Sequence, residues 1–210
     1  MRPFVLPLLS LGFLLFIASS KAQATQLKIL DGNGEPLQHA VVELIDQPLA
    51  SSPQGIAVMD QINKQFVPFI LTIQKGQLVS FPNSDDIRHH VYSFSAVKPF
   101  ELKLYAGTPN QPLKFDNAGV VVLGCNIHDS MVGYIYVADD NPVLVTDASG
   151  VVSLPDASRT VTVWHPYQSN DIDSRQSAQI VNTNAQVTVT IETTYPAPRN
   201  TFGERFGQHE

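Results

Sequence analysis

The stretch Gly124-Cys125-Asn126-Ile127-His128-Asp129-Ser130-Met131-Val132-Gly133 places a thiol, an imidazole and a thioether close together in the chain. Each is a metal ligand of a different kind. A thiolate is a strong soft donor, an imidazole suits several first-row metals, and a thioether binds weakly and favours copper. The spacing C-x2-H-x2-M lets one short loop between two strands deliver all three to one ion. A blue-copper centre needs one thiolate, two imidazoles and a weak axial thioether, so one imidazole must come from elsewhere. Upstream, Arg88-His89-His90-Val91 supplies two candidates on an extended segment. Neighbouring residues of a strand point to opposite faces, so only one of this pair points inward; the spacing alone does not say which.

The elements that must position these groups are strands. Val, Ile, Thr, Phe and Tyr recur in short runs broken by Gly, Pro, Asn and Asp, and no segment carries a long stripe of period 3.6. The texture predicts an all-β protein. Strands are expected at Gln26–Leu30, Ala40–Ile45, Ile56–Asp60, Phe69–Gln74, Leu78–Phe81, His89–Phe94, Phe100–Leu104 and Leu113–Phe115. Val120–Leu123 and Tyr134–Val137 bracket the Cys–His–Met loop. Asp139-Asp140-Asn141-Pro142 marks a boundary. Beyond it, Val143–Val145, Val151–Leu154, Thr160–Trp164 and Gln186–Ile191 continue the pattern, and residues 195–210 read as a disordered tail.

Residues 1–24 read as a signal peptide. Arg2 precedes an apolar run from Phe4 to Ile17, and Ala22-Gln23-Ala24 is a small-residue cleavage site. The run falls short of the ~18 apolar residues of a membrane span, and no later stretch approaches that length. The expected location is therefore periplasmic, with no stable membrane span after cleavage. Removing residues 1–24 takes away Arg2 and Lys21 and no acidic residue, so the net charge of −6 becomes −8. An acidic chain repels phosphate backbones, which argues against nucleic acid as a partner. Cys125 is the single cysteine, so no internal disulfide can form. An exported free thiol is a liability unless buried or metal-bound. Taken alone, Cys125 and Met131 would read as core residues; with His128 at these spacings they read as ligands. Neither His39, His165 nor His209 forms a second cluster.

The order of elements resembles the cupredoxin family, which includes plastocyanin and amicyanin. The resemblance rests on Pro68 to Gly76, Phe81 and Asn83, the His89–His90 pair, Phe115-Asp116 with Gly119, the Cys125 loop, and Gly133-Tyr134-Ile135-Tyr136-Val137. It covers about residues 55–138. The C-x2-H-x2-M spacing is closer to amicyanin than to plastocyanin, whose loop is longer. The segment Arg88 to Lys103 also resembles cupredoxin-like methylamine utilization proteins. What the resemblance implies is one type 1 copper held by His89, Cys125, His128 and Met131. His90 then stands where the family has an Asn that ties the two ligand-bearing loops together. A ring nitrogen of His90 could serve that purpose, or His90 could be the ligand instead of His89.

Residues 26–50 and 141–193 resemble a different unit. Gly34-Glu35-Pro36-Leu37 with Ala40 and Val42, and Thr146-Asp147-Ala148-Ser149-Gly150, are similar to the carboxypeptidase regulatory-like, or transthyretin-like, β-sandwich. One arrangement inserts the cupredoxin into a loop of a discontinuous sandwich; the other sets two domains in tandem. Insertion predicts that Ala40–Ile45 pairs with strands after residue 141.

The resulting expectation is an exported copper protein that carries single electrons between redox partner proteins and is not an enzyme. The alternative is a copper-binding module for storage, delivery or sensing.

Overall fold

The computed structural model describes residues 25–50, 55–155, 158–181 and 186–194. The expected leader over 1–24 and tail over 195–210 lie outside the described residues. Among those described, the regular structure is entirely strand.

The chain opens with β1 (Thr25–Asp31) and β2 (Val41–Leu44). There follow β3 (Ile56–Val58), β4 (Asp60–Ile62), β5 (Gln65–Val67), β6 (Ile70–Gln74), β7 (Leu78–Ser80) and β8 (His89–Ser93). Next are β9 (Phe100–Tyr105), β10 (Leu113–Lys114), β11 (Gly119–Cys125) and β12 (His128–Ala138). The last are β13 (Val143–Val145), β14 (Val151–Leu154), β15 (Thr160–Trp164), β16 (Gln176–Gln179) and β17 (Val187–Ile191).

Strand pairing sorts these into two sandwiches. In the central one, a sheet ordered β6-β12-β11-β8-β9 faces a sheet ordered β10-β7-β3, with the β4–β5 hairpin beside them. Its core holds Phe81, Val91, Phe115, Leu123, Cys125, Met131 and Ile135. In the other, the sheet β14-β1-β17 faces β13-β2-β15-β16. There β1 alternates buried and half-buried residues, as a strand with one face on a core must, and Leu27 and Ile29 point into that core. β2 pairs with β13 and β15, and β1 with β14 and β17, so every ladder of the first two strands is made with residues beyond 142.

β12 is the strand both sandwiches share. Met131, Ile135 and Val137 face the central core, while Tyr134, Tyr136 and Ala138 face the second sandwich, where they meet Val41 and Trp164. Burial on both faces explains why Gly133 to Ala138 reads as a continuous apolar run rather than an alternating one. A polar clamp completes the junction. Tyr136 Oη donates to buried Glu43 Oε2 at 2.7 Å and accepts from Arg175 Nε at 2.8 Å, and Asn141 Nδ2 reaches Glu43 Oε1 at 3.0 Å.

Candidate metal centre

The three strongest donors of the sequence converge at one end of the central sandwich. Cys125 Sγ lies 3.6 Å from His89 Nδ1 and 3.7 Å from His128 Nδ1. All three donor atoms fall within 4.8 Å of one another. A sulfur at about 2.3 Å and an imidazole nitrogen at about 2.0 Å from a divalent ion are about 3.5–3.7 Å apart at angles from tetrahedral to trigonal. The observed separations therefore fit one ion among these atoms, and the cluster fits a single type 1 copper site, for which thiolate plus two imidazoles is the donor set.

Pairing between strands fixes the donors. β8 lies beside β11, with Val91 opposite Cys125, which brings His89 next to the cysteine. β11 and β12 form a hairpin in which Cys125 pairs with His128. The ligand segment is thus less of a free loop than its sequence suggests: Cys125 ends one strand, His128 begins the next, and Asn126-Ile127 is the turn. Gly124 then pairs with Val132, so Asp129-Ser130-Met131 bulges from the ladder. A bulge re-aims side chains. Here Asp129 and Ser130 are exposed while Met131 is 1% exposed and packs in the same core as Cys125.

The structure separates the two adjacent histidines. His89 is fully buried and faces Cys125. His90 turns outward and pairs with Glu101 at 2.9 Å. Its ring does not tie the ligand segments together; its main-chain oxygen does, accepting from Asn126 N at 3.1 Å.

Sequence reasoning passed over a further partner. His89 Nε2 meets Asp85 Oδ2 at 2.7 Å. A carboxylate only accepts, so Nε2–H donates to Asp85, and Nδ1 is the ring nitrogen that faces Cys125. Burial opposes the charge on Asp85, but the amides of Lys64 and Asn63 and the ring of His89 outweigh it and hold the carboxyl below its ordinary range. The signal for this residue was an acid four positions before a candidate ligand. The hairpin that holds it, β4–β5, was not foreseen at all, because its strands are three residues each and carry Gln and Asp among the apolar positions.

His128 is only half-buried. Burial lowers its pKa, with His89 and the Lys64 ammonium adding and Asp85 opposing, which favours the neutral ring that a metal requires. Around it Asn126, Ile127, Asp129 and Ser130 are exposed. Beside this patch a surface cavity of about 530 Å³ is lined by His90, Tyr92, Phe94, Glu101 and Asn126, among others. Tyr92 lies over Gly124 so closely that an added Cβ there would meet its ring at 2.7 Å. The other histidines stand apart: His165 is buried, with Nε2 on Gln38 O at 3.1 Å and Nδ1 accepting from Tyr167 N at 3.2 Å, and His39 lies against Phe69. His209 lies outside the described residues.

No family model matches the chain, and no curated protein matches it. Among solved structures it is similar to a Cu-containing nitrite reductase from Thermus scotoductus SA-01, at 22% identity and a TM-score of 0.38. That match covers 54% of this chain and spans only 28% of the reductase. It is also similar to a purple cupredoxin from Nitrosopumilus maritimus, with 20% identity, a TM-score of 0.35, and coverage of 40% of this chain and 100% of the other. Amicyanin from Paracoccus versutus is 18% identical, with a TM-score of 0.35 and coverage of 47% and 97%. The central unit itself is a two-sheet sandwich with one histidine from an inner strand and a C-x2-H hairpin at the same end. The second sandwich makes the chain as a whole an all-β protein of two units.

Proposed function

We propose that the chain is an exported type 1 copper protein that carries single electrons between redox partner proteins. The observation that supports this most is the convergence of Cys125 Sγ on two imidazole nitrogens at 3.6 and 3.7 Å. Copper held there supplies one-electron exchange between its cuprous and cupric states. His89, Cys125 and His128 are the equatorial ligands of this reading, and Met131, buried beside Cys125, is the axial one. Strand pairing and core packing hold three of these side chains at hairpin and ladder positions, which limits rearrangement when the metal changes charge. His128, half-buried among exposed neighbours, offers the path to a partner, and so small a patch suits a weak, transient contact. His89, sealed in the interior, does not.

On the same reading residues 1–24 are the export signal, residues 55–138 are the copper domain, and 26–50 with 141–193 form a sandwich into which that domain is inserted. On this reading the chain is a carrier and not an enzyme. The test is to load the protein with Cu(II) and record visible absorption and EPR spectra. An intense thiolate-to-copper band with narrow hyperfine splitting, absent in Cys125→Ser, supports the proposal. An ordinary weak Cu(II) spectrum refutes electron-carrier chemistry and leaves copper storage or delivery.

A further inference from the structure

Three donors converge on one carboxylate beside the metal centre. Asp85 Oδ1 accepts from Asn63 N at 2.5 Å, and Oδ2 accepts from Lys64 N at 2.9 Å and from His89 Nε2 at 2.7 Å. Asn63 and Lys64 have φ of 53° and 58°, two successive left-handed residues that form the two-residue turn between β4 and β5. Successive amides in a turn make a concave anion site. The turn is not free to move away from its anion. Gln61, fully buried, donates from Nε2 to Pro82 O at 2.8 Å and to Tyr105 Oη. Phe66 is buried against Gly133, where an added Cβ would come within 2.6 Å of it. Asp60 takes Ser84 Oγ at 2.8 Å, gripping the residue next to Asp85.

We propose that the β4–β5 hairpin is an outer device that sets the reduction potential of the centre, by holding the Asp85 side chain as the acceptor on the far nitrogen of His89. This rests on the copper reading above. Asp85 is a positioning residue and touches no metal. Its charge makes the ring a stronger donor at Nδ1, and a stronger donor favours the more highly charged, oxidised metal. The two amides of the turn fix where that charge sits, so the hairpin acts on the centre through one carboxylate.

Asp85→Asn tests this at nearly constant size. Asn has one acceptor oxygen and presents N–H donors in place of the second. With its oxygen at the Oδ2 position Asn still accepts from Lys64 N and His89 Nε2 but turns a donor toward Asn63 N, and flipped it turns a donor toward both Lys64 N and His89 Nε2. Copper-loaded wild type, Asp85→Asn and Asp85→Glu are equilibrated with redox buffers while the thiolate band is followed. The expected result is an equilibrium constant for reduction at least tenfold larger in Asp85→Asn, about 59 mV for one electron, and largely restored in Asp85→Glu. In the metal-free protein, ¹H–¹⁵N correlation of the histidine rings should show a single Nε2–H tautomer for His89 in wild type and a mixture in Asp85→Ala, which removes both oxygens. An unchanged potential with the intense band retained overturns the role of Asp85 and leaves the copper reading standing. A His89 tautomer indifferent to Asp85→Ala overturns it equally. Absence of the band in wild type overturns both readings, so the two failures are distinct.

Discussion

His89 and His90 are identical side chains one position apart, and the fold gives them opposite surroundings. His89 meets a sulfur on one nitrogen and a carboxylate on the other. His90 meets Glu101 near the surface. Their substitutions should therefore differ sharply. His90→Ala should keep the intense copper band with little change, since its contribution to the ligand segments comes from its main-chain oxygen. His89→Ala should lose the band, because on the copper reading it removes an equatorial donor and leaves the half-buried Asp85 without its ring partner. Copper titration monitored by visible absorption checks both; equal behaviour of the two variants would remove His89 from the ligand set. The pair was legible in the sequence as a pair only. Alternation along a strand says that one residue points inward, and the neighbouring strand decides which.

At the scale of elements, hairpins and turns do the positioning. The C-x2-H spacing works because Cys125 and His128 are opposite each other across a two-residue turn. The turn at Asp147–Gly150 plays a comparable part in the second sandwich. Gly150 has φ of 72°, its N–H reaches Asp147 O at 3.0 Å, and its oxygen accepts from Ile29 N at 2.7 Å. An added Cβ there would come within 2.5 Å of Ile29 O. Gly150→Ala combines left-handed backbone strain with overpacking, and should destabilise the fold by about 2–4 kcal/mol. Urea unfolding measures it. A loss under about 0.5 kcal/mol, the ordinary range for a surface change, would show that the turn relaxes freely. This turn was visible in the sequence as T-D-x-x-G. The β4–β5 hairpin was not, since its two central residues are Asn63 and Lys64 and no glycine announces the left-handed backbone there.

At the scale of the whole molecule, the two sandwiches are joined across β12. The Glu43–Tyr136–Arg175 clamp puts a buried carboxylate at the junction. Tyr136→Phe removes one donor to Glu43 and one acceptor from Arg175, and should lower unfolding free energy by about 1–3 kcal/mol. Denaturant titration of wild type and variant checks it, and an unchanged midpoint would mean that apolar packing alone holds the junction. A second whole-molecule property is acid sensitivity. Burial pushes the His165 imidazole down to about 4, with the Gln38 carbonyl opposing and His39 adding. The unfolded chain takes up this proton near the ordinary value of 6.5. Stability from neutral His165 is thus present above pH 6.5 and is lost as pH falls toward 4, by roughly 3 kcal/mol at most. His165→Gln should flatten the difference in stability between pH 7 and pH 4.5; an equally steep difference in the variant would assign the sensitivity to other groups.

What the sequence determined by itself was chemical and local. It carried the all-β texture, most strand positions, and the identity and order of thiol, imidazole and thioether, because residue type and short spacing are written directly in the chain. Tertiary structure decided what depends on distant pairings. It chose His89 over His90 as the ring facing Cys125, put Asp85 behind that ring, and turned Met131 inward through a bulge. It also joined β1 and β2 to strands beyond residue 142, and set Tyr136 on Glu43, 93 positions away in the chain. Such contacts follow from how sheets stack and which faces they bury, and no spacing within a segment encodes that.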